Sequence, residues 1–248
     1  MNNSSLDKFN PQLSVDCVVF GFDGESLKVL LIEREAATSN SGLLRKSKLP
    51  GDLIFEMEDL DSAAERVLQK LTGLTNLFLR QFAVFGSPDR MKNKDDKQWL
   101  EESSGLEIRR VVTTAYYALI RINNADSEKA LSHGARWQDI KKLPELAFDH
   151  KEIIIKGLES IKMAIRFEPI CFNLLPKKFT IRQLQTLYEV ILDQKFDNRN
   201  FRKKALKANY IEPSNEKQSG VAHKPAMYYI FNEAAFLESQ KDYLYYHF

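Results

Sequence analysis

Apolar residues in the first part of the chain cluster in short runs that favour β-strands. Residues 13–20 and 27–33 are rich in apolar and β-branched side chains, and the glycines and aspartate between them suit a hairpin turn. Runs of the same kind predict strands at 77–85 and 109–122 and a short strand at 135–138. This part of the chain is therefore expected to form a sheet.

Two segments of the same region have the apolar spacing of a helix. Residues 61–71 predict a helix that Asp61 or Ser62 can cap, and a second helix is predicted over about 151–166. Between two of the predicted strands, residues 90–108 are mostly polar and charged. We interpret them as a long surface loop with at most a short helical turn.

The last third of the chain has a different order of elements. Residues 180–194 have apolar side chains at helical spacing, with Thr180 in the cap position. After a short break, a second helix is predicted over 197–208, capped by Asp197. The loop EPSNEKQSG and the apolar stretch KPAMYYIF follow. Helix, turn, helix, loop and strand is the order of a winged helix-turn-helix domain.

Charge is distributed unevenly between the two parts. The whole chain carries a formal charge of +2, but between Lys177 and Lys224 eleven Lys and Arg stand against five Asp and Glu, a net +6. A basic module joined to a slightly acidic one favours nucleic acid as the partner of the basic part. We therefore expect two domains, at 1–167 and 168–248.

Cysteine usage and hydropathy argue against a secreted or membrane protein. Cys17 and Cys171 are the two cysteines, too few for a disulfide framework in a chain of this size. The N-terminal residues lack the basic and apolar segments of a secretory signal. No apolar run approaches the roughly 18 residues of a membrane span. A cytoplasmic protein without membrane contact is expected.

Residues 51–74 have the spacing of a metal-binding enzyme motif without its ligands. The stretch resembles the Nudix signature, with Glu58, Arg66 and Gly73 at signature positions. The three positions that carry glutamates in that signature are occupied by Val67, Lys70 and Leu71. Magnesium needs oxygen ligands, and a lysine ammonium repels it. No metal, no cofactor and no catalytic residue is therefore expected, and we interpret Glu58 and Arg66 as a structural ion pair.

The predicted helix at 197–208 is the candidate for DNA contact. Its outward side is nearly free of acids after Asp197, so it lacks the i, i+4 pairing of a merely soluble charged helix. Arginine can bind guanine bidentately and asparagine can do so with adenine. The predicted DNA-binding residues, including flanking positions for phosphates and the wing, are Lys177, Lys178, Arg182, Asn198, Arg199, Asn200, Arg202, Lys203, Lys207, His223 and Lys224. The alternatives are a solvated charged face and, for His223, an ordinary surface histidine.

Several longer stretches are similar to one family. The segments AFDHKEIIIKGLESIK, EPICFNLLPKKFTIRQLQTLYEVIL, DNRNFRKKAL and KPAMYYIF, with FGSPDR and VVTTAYYALI upstream, resemble the Nudix-related bacterial transcriptional regulators. The likeness covers about residues 13–232. It implies an α+β chain, in which a Nudix-like α/β/α sandwich that binds an effector precedes a winged helix that binds DNA as a homodimer. The chain departs from the family pattern at Asp52, usually glycine, and in the longer segment 91–108.

The resemblance also indicates where an effector would lie. The segments SPDR at 87–90 and RRVVTTAYYALI at 109–120 flank the side of a Nudix fold on which ligands usually bind. The predicted effector-binding residues are Asp89, Arg90, Arg109, Arg110 and Tyr117. For a tyrosine on a strand, packing in the core is the ordinary alternative.

The predicted function is that of a transcriptional regulator without enzymatic activity. It would bind a palindromic double-stranded operator as a homodimer. The spacing and the opening FNLLPK resemble the pentose branch of the family most, and this resemblance implies that the effector is a small sugar, a pentose such as L-arabinose or xylose. The first alternative effector is ADP-ribose or a related nucleotide. A second alternative is a Nudix hydrolase of nucleotide-sugars, which the missing carboxylates disfavour. A third is a sensor whose basic domain binds RNA or a protein.

Overall fold

The protein folds as two compact units. The computed structural model describes residues 8–33, 46–220 and 224–246, with side chains described up to residue 239. One unit contains Lys28–Ser160 and the chain before Phe22, and the other contains Ile161 onward together with Phe22–Leu27. The domain limits 1–167 and 168–248 remain a prediction.

The first unit is built on a sheet of seven strands, counted over the described residues. These are β1 (Phe9–Phe22), β2 (Leu27–Glu33), β3 (Ser47–Lys48), β4 (Gly51–Phe55), β5 (Arg80–Phe85), β6 (Val112–Arg121) and β7 (Ala135–Asp139). The main order is β3-β2-β1-β6-β5, with β4 paired to β1 and β7 paired to β2. All five predicted strands are confirmed, whereas β3 and β4 were not predicted.

Helix α1 (Leu60–Thr72) lies where the sequence predicts a helix, but its N-cap residue lies two residues before the first predicted candidate, Asp61. The Asp59 carboxylate accepts a hydrogen bond from the Ser62 amide at 2.9 Å, so Asp59 and neither predicted residue is the N-cap. At the other end Gly73 has a φ of 70°, a left-handed conformation that glycine adopts without strain. Asp61 instead accepts a hydrogen bond from the Tyr116 hydroxyl at 2.6 Å.

The interpretation of residues 90–108 as a loop is wrong for most of that segment. Helix α2 (Lys94–Ser104) occupies it, starting at Asn93, whose side chain accepts from the Asp95 amide at 2.9 Å. Gly105 ends the helix in a left-handed conformation. The asparagine cap followed by two aspartates was a helix-start signal that the charged composition obscured. Helices α3 (Asn124–Ser132) and α4 (His150–Ala164) follow, and only α4 was predicted.

The core of the first unit lies between α1 and the sheet. Ala63, Ala64, Val67 and Leu68 of α1 are buried in one apolar cluster that includes Val15 of β1. Each fully buried aliphatic side chain stabilises the fold by about 1.5–3 kcal/mol relative to exposure. This packing fixes the orientation of α1 on the sheet, and with it the positions that the Nudix signature assigns to metal ligands.

The second unit has the elements of a winged helix. Helix α5 (Ile181–Leu192), helix α6 (Asn198–Ala205), strands β8 (Ile211–Lys217) and β9 (Met227–Phe231) and helix α7 (Glu233–Tyr246) follow one another, and α7 was not predicted. Thr180 and Gln183 form a capping box at the start of α5, and Asp197 caps α6, as predicted for both caps. Phe179 and Tyr229 exchange backbone hydrogen bonds of 2.9 and 2.7 Å, which attaches the start of α5 to the β8–β9 hairpin.

Within the described part of the chain, no helix has both the length and the apolar character needed to cross a membrane.

Candidate functional site

Glu58 and Arg66 form a bidentate ion pair between the loop and α1. The Arg66 Nε lies 2.6 Å from Glu58 Oε1, and Nη2 lies 2.7 Å from Oε2. Nη2 also donates to the Leu53 carbonyl at 3.1 Å, and the guanidinium lies 4.2 Å from the centre of the Phe55 ring. Two parallel hydrogen bonds give the pair a fixed geometry. It holds the end of β4 against α1.

The three positions of the signature glutamates differ in their burial and in their contacts. Val67 is fully buried in the core, and Leu71 packs against the same cluster. Lys70 is exposed, and its ammonium lies 3.3 Å from the carboxylate of Asp52. Lys70, which replaces a signature glutamate, therefore pairs with Asp52, which replaces a glycine of the family pattern. A cation of the protein stands beside a carboxylate at the place where the signature would bind magnesium.

A cluster of charged side chains is buried on the face of β1 opposite to Val15 and Cys17, which pack against α1. Asp16 of β1 is 4% exposed and Arg90 is 7% exposed, with Arg90 Nη2 3.4 Å from Asp16 Oδ2 and 3.1 Å from Asp149 Oδ1. On the other oxygen of Asp16, His150 Nε2 lies at 3.4 Å. The Leu49 amide donates to His150 Nδ1 at 2.9 Å, which places the proton of this imidazole on Nε2.

The charge states within this cluster follow from burial and from the neighbours. Burial lowers the pKa of His150 to about 4, so the imidazole is neutral at physiological pH. Burial alone would raise the pKa of Asp16, but His150, Arg90 and Lys48 outweigh it and the pKa is lowered. Burial raises the pKa of Asp149. Asp16 and Arg90 therefore form the charged centre of the cluster.

Gly51 allows β4 to approach this cluster. It pairs with Asp16 across the β1–β4 ladder. A β-carbon on Gly51 would overlap the Asp16 carboxylate and come within 2.9 Å of the Val15 carbonyl. Glycine is therefore required here by space, because any side chain would displace the buried carboxylate.

Three spaces surround the cluster, and they differ in size. The smallest, against Asp16, Arg90 and His150, measures about 40 Å³, enough for a few waters. A groove of about 410 Å³ runs beside α1, lined among others by Lys48 and Lys70. A second groove of about 500 Å³ lies beside the 3₁₀ turn Pro88–Met91. The two grooves have the volume of a small-molecule site.

The structure separates the predicted effector-binding residues. Asp89 and Arg90 both line the groove at the 3₁₀ turn, but Arg90 is tied into the buried ion pairs. Arg110 donates to the Gly86 carbonyl at 2.7 Å, while Arg109 is paired with an exposed glutamate in solvent. Tyr117 is 5% exposed and packs on a phenylalanine of β5, so the structure places it in the core rather than at a ligand surface.

A polar network fixes the turn between α5 and α6. The Gln185 side chain donates to Glu189 Oε1 at 2.8 Å and to Asn198 Oδ1 at 2.8 Å. Glu189 also accepts from the Phe196 amide at 3.1 Å and pairs with Lys195 at 3.0 Å. Glu189 is 6% exposed, and these partners bind both oxygens of its buried carboxylate. The network sets the angle at which α6 leaves α5.

We expect the Glu189 network to make the stability of the second unit dependent on pH. The hydrogen bond from Gln185, the Phe196 amide and Lys195 lower the pKa of Glu189 from 4.5 to about 2. Because the folded-state pKa is lowered, the carboxylate stabilises the fold above pH 4.5, and this contribution is lost as the pH falls towards 2. Wild type should exceed Glu189→Gln in melting temperature at pH 7, and the difference should vanish near pH 2.

The control is Glu65→Gln on the exposed side of α1, which should give the same melting temperature as wild type at every pH. Circular dichroism melts between pH 2 and 7 measure both. A Glu189→Gln deficit that does not change with pH would show that the side-chain shape matters and its charge does not.

Comparison with known proteins accounts for this arrangement of domains. Residues 171–231 match the family model described as the NrtR DNA-binding winged helix domain. A repressor from Acinetobacter baylyi, named the ADPR responsive transcriptional repressor NtrR, is 28% identical over 227 residues, covering 90% of this chain and 82% of that protein. A Nudix-like domain is followed by a winged helix, and the winged helix is the part that matches this family model.

Solved structures show the same fold over nearly the whole chain. Shewanella oneidensis NrtR in complex with a 27mer DNA has a TM-score of 0.67 at 24% identity, with 91% of this chain and 95% of that chain covered. A MutT/nudix family protein from Enterococcus faecalis has a TM-score of 0.61 at 23% identity, with 90% and 87% covered. The α+β fold predicted from the sequence, a Nudix-like domain before a winged helix, is confirmed.

The predicted DNA-binding residues within the described part of the winged helix are all exposed, but four of them, Lys178, Arg182, Asn198 and Arg202, have side-chain partners that limit them. Lys178 pairs with Glu216 of β8 at 2.6 Å, and Arg182 donates to Asn198 Oδ1 at 3.0 Å. Arg202 donates to the Tyr229 hydroxyl at 3.4 Å. The positions without such ties are Lys177, Arg199, Asn200, Lys203, Lys207 and Lys224. His223 lies outside the described residues.

The sequence analysis did not identify the buried charged cluster. Asp16, Lys48, Asp149 and His150 were not singled out, although one signal was available. Asp16 interrupts the apolar run LSVDCVVF, and an ionised side chain inside a buried strand requires a partner. The partner, Arg90, was predicted to contact the effector instead.

Proposed function

We propose that this protein is a transcriptional repressor of the NrtR type. It binds duplex DNA through the outer side of α6, and its Nudix-like domain binds ADP-ribose or a closely related nucleotide without hydrolysing it. The observation that carries the proposal is the match of residues 171–231 to the NrtR DNA-binding domain, the region that holds α5, α6 and the hairpin. The overall likeness to a named repressor over 90% of the chain supports it.

The chemistry of α6 suits DNA. Arg199 and Lys203 are one helical turn apart and Arg202 lies between them, so the three cations project from one side. The cap residue Asp197 is the acid closest to them, and its carboxylate is engaged by the Asn200 amide at 2.8 Å. Cations on the exposed side of a helix that follows a fixed turn are what major-groove contact requires. A homodimer on a palindromic operator is the expected form of the complex.

The effector proposed here differs from the pentose that the sequence analysis favoured. The Acinetobacter relative is named for its response to ADPR, and this supports the nucleotide alternative. The exposed surface beside α1 agrees with that chemistry. A diphosphate needs positive charge, and a purine needs an aromatic or apolar surface.

We place the effector in the 410 Å³ groove beside α1 rather than at the predicted residues. Lys48 and Lys70 supply two ammonium groups on this groove, and Trp99 and Phe9 supply ring surface. The Lys48 ammonium already lies 5.0 Å from the centre of the Trp99 ring. In a Nudix enzyme magnesium ions would neutralise the diphosphate. In this chain the lysines provide the positive charge themselves.

The test is effector binding with and without divalent metal. ADP-ribose should raise the melting temperature equally in magnesium and in EDTA, because no metal is needed to neutralise the diphosphate. It should also lower the affinity for a duplex selected from a random library with the wild-type protein. Lys70→Ala should weaken ADP-ribose binding about twofold to fivefold, the size of a half-exposed ion pair.

The matched control is Lys92→Ala, a lysine on the other groove, which should leave ADP-ribose affinity unchanged. Equal loss in both variants would place the ligand elsewhere. A melting shift with pentoses and none with ADP-ribose would restore the sugar interpretation. Magnesium-dependent release of AMP from ADP-ribose would restore the hydrolase alternative.

A further inference from the structure

The winged-helix unit contains a cavity of its own. It measures about 460 Å³ and lies between α5, α6 and the start of β8. All the residues that line it belong to the second unit, so it is separate from the grooves of the Nudix-like domain. A space of this size is within the range of small-molecule sites.

Two groups of aromatic rings line the cavity. Phe172 and Tyr210 form one group, with ring centres 6.4 Å apart, and both are held by Phe231 behind them. Phe201 of α6 forms the other, with Tyr188 at 5.9 Å and a further phenylalanine at 5.7 Å. No ring contact joins the two groups among the described residues. The cavity therefore separates two aromatic walls, a shape that fits a flat ring.

The polar residues on the cavity are two tyrosines, two lysines, the cap residue of α6 and one asparagine of α6: Tyr188, Tyr210, Lys195, Lys204, Asp197 and Asn200. Lys195 is paired with Glu189, and the Asp197 carboxylate accepts from the Asn200 amide at 2.8 Å. The Tyr188 hydroxyl accepts from Cys171 Sγ at 3.5 Å, and no acceptor for its own proton is found in the described ranges. Burial raises the pKa of Tyr188 and of Tyr210, so both phenols keep their protons. Lys204 lies at the rim and makes no ion pair within the described part of the chain. A ligand that brings acceptors and negative charge would satisfy the two phenols and the Lys204 ammonium, since the Asp197 carboxylate is already engaged by the Asn200 amide.

We propose that this cavity binds a flat aromatic carboxylate, and that its occupation weakens DNA binding. The second half rests on the proposed function. Phe201 and Lys204 line the cavity from one side of α6, whereas Arg199 and Lys203 project from the other. A ring inserted behind Phe201 moves α6 away from α5. This movement also breaks the hydrogen bond from Arg202 of α6 to the Tyr229 hydroxyl of β9. The cations on the outer side then no longer match the spacing of the phosphates and bases.

The probe is 2-naphthoate, with the neutral 2-naphthamide as its isostere, titrated into the full chain by calorimetry in the absence of DNA. The naphthoate should bind more tightly than the amide. Lys204→Gln should weaken naphthoate binding about twofold to fivefold and leave the amide unchanged. Lys203→Gln is the matched control, because it removes the neighbouring charge on the opposite side of the helix, and it should change neither.

Two further variants test the cavity itself. Tyr210→Phe removes one donor without changing the ring and should weaken naphthoate binding, while Ala208→Trp fills the space and should abolish it. Melting curves verify that both variants fold. If Ala208→Trp does not fold, the effect of Tyr210→Phe on naphthoate binding decides whether the cavity is the site. No binding of naphthoate at millimolar concentration to wild type, or equal effects of Lys203→Gln and Lys204→Gln, would overturn the site.

The link to DNA is measured separately with the selected duplex. Naphthoate should reduce its affinity in wild type and have a smaller effect in Lys204→Gln at the same concentration. Binding of naphthoate with unchanged DNA affinity would overturn the link. Absence of DNA binding in the ligand-free protein would contradict the proposed function, while the calorimetry would still decide whether the cavity is a ligand site.

Discussion

Replacing Arg199 by alanine is expected to weaken binding to the preferred DNA sequence and to relax the preference at one base pair. Arg199 is exposed on α6 and makes no ion pair among the described residues, so its guanidinium is available to a base edge. Loss of one bidentate contact costs about 1–3 kcal/mol and lowers discrimination at one base pair. Affinity for the selected duplex should fall by about tenfold to a hundredfold at fixed salt. Affinity for an unrelated duplex should change much less.

The control variant is Arg166→Ala, an exposed arginine of the same unit outside α6, which should bind both duplexes as wild type does. Lys207→Ala should weaken both duplexes alike and flatten the dependence of affinity on salt, as a phosphate contact does. Arg202 is a less suitable probe, because its contact with Tyr229 makes its loss partly a change in the fold. An Arg199→Ala protein with unchanged preference would exclude α6 as the recognition helix.

Replacing Arg90 by alanine is expected to destabilise the Nudix-like domain severely. The substitution would leave Asp16, 4% exposed, and the half-buried Asp149 without their shared cation. Breaking a buried ion pair by removing one partner costs about 3–5 kcal/mol, since the remaining charge has neither water nor a counter-ion. Chemical denaturation at pH 7 should show this loss. Arg109→Ala, whose ion pair is solvent-exposed, should change stability by less than about 0.5 kcal/mol.

The cost of Arg90→Ala should depend on pH. In wild type Arg90 helps to lower the pKa of Asp16, so this carboxylate stabilises the fold above its ordinary pKa and ceases to do so in acid. Burial raises the pKa of Asp149, which makes it the first of the two to take up a proton when Arg90 is absent. The difference between wild type and variant should therefore be largest at neutral pH and shrink as the pH falls. A constant difference would show that lost packing, not charge, is responsible.

This expectation affects how effector experiments are designed. Arg90 was a predicted effector-binding residue, and an alanine variant that no longer responds to an effector would suggest that role. Because Arg90 takes part in buried ion pairs, such a variant is expected to lose its response through unfolding, whether or not Arg90 contacts the effector. Exposed residues such as Lys70 can be replaced without that ambiguity.

The local rules of sequence interpretation predicted the fold well where periodicity and caps agree. Helix α5 has strong apolar spacing behind Thr180, and α6 begins at Asp197, and both were predicted with their caps. The prediction failed for α2, because this helix buries little apolar surface and its sequence pattern is dominated by charged residues. It also failed for the short strands β3 and β4, which exist because they pair with β2 and β1. Pairing between distant segments leaves no periodicity in either one.

The candidate sites were predictable to different degrees for the same reason. Helix α6 could be identified as a DNA-binding candidate from its charge and from the order of the elements along the chain, both of which can be taken directly from the sequence. The groove beside α1 combines Phe9, Lys48, Lys70 and Trp99, which come from four separate segments and meet only when the sheet forms. The cavity behind Phe201 likewise depends on how α5, α6 and β8 pack.

The pairing of Asp52 with Lys70 also determines how the glutamates of the Nudix signature could be introduced into this fold. Restoring a glutamate at position 70 alone would set two carboxylates where an ion pair of 3.3 Å now stands, and like charges at that distance repel. Replacing Asp52 with glycine first would leave only a solvent-exposed lysine, a mild change. A glutamate in place of the fully buried Val67 would still have to enter the core. Introducing the full signature therefore requires several substitutions in one order, and the substitution at the buried position 67 is the most costly.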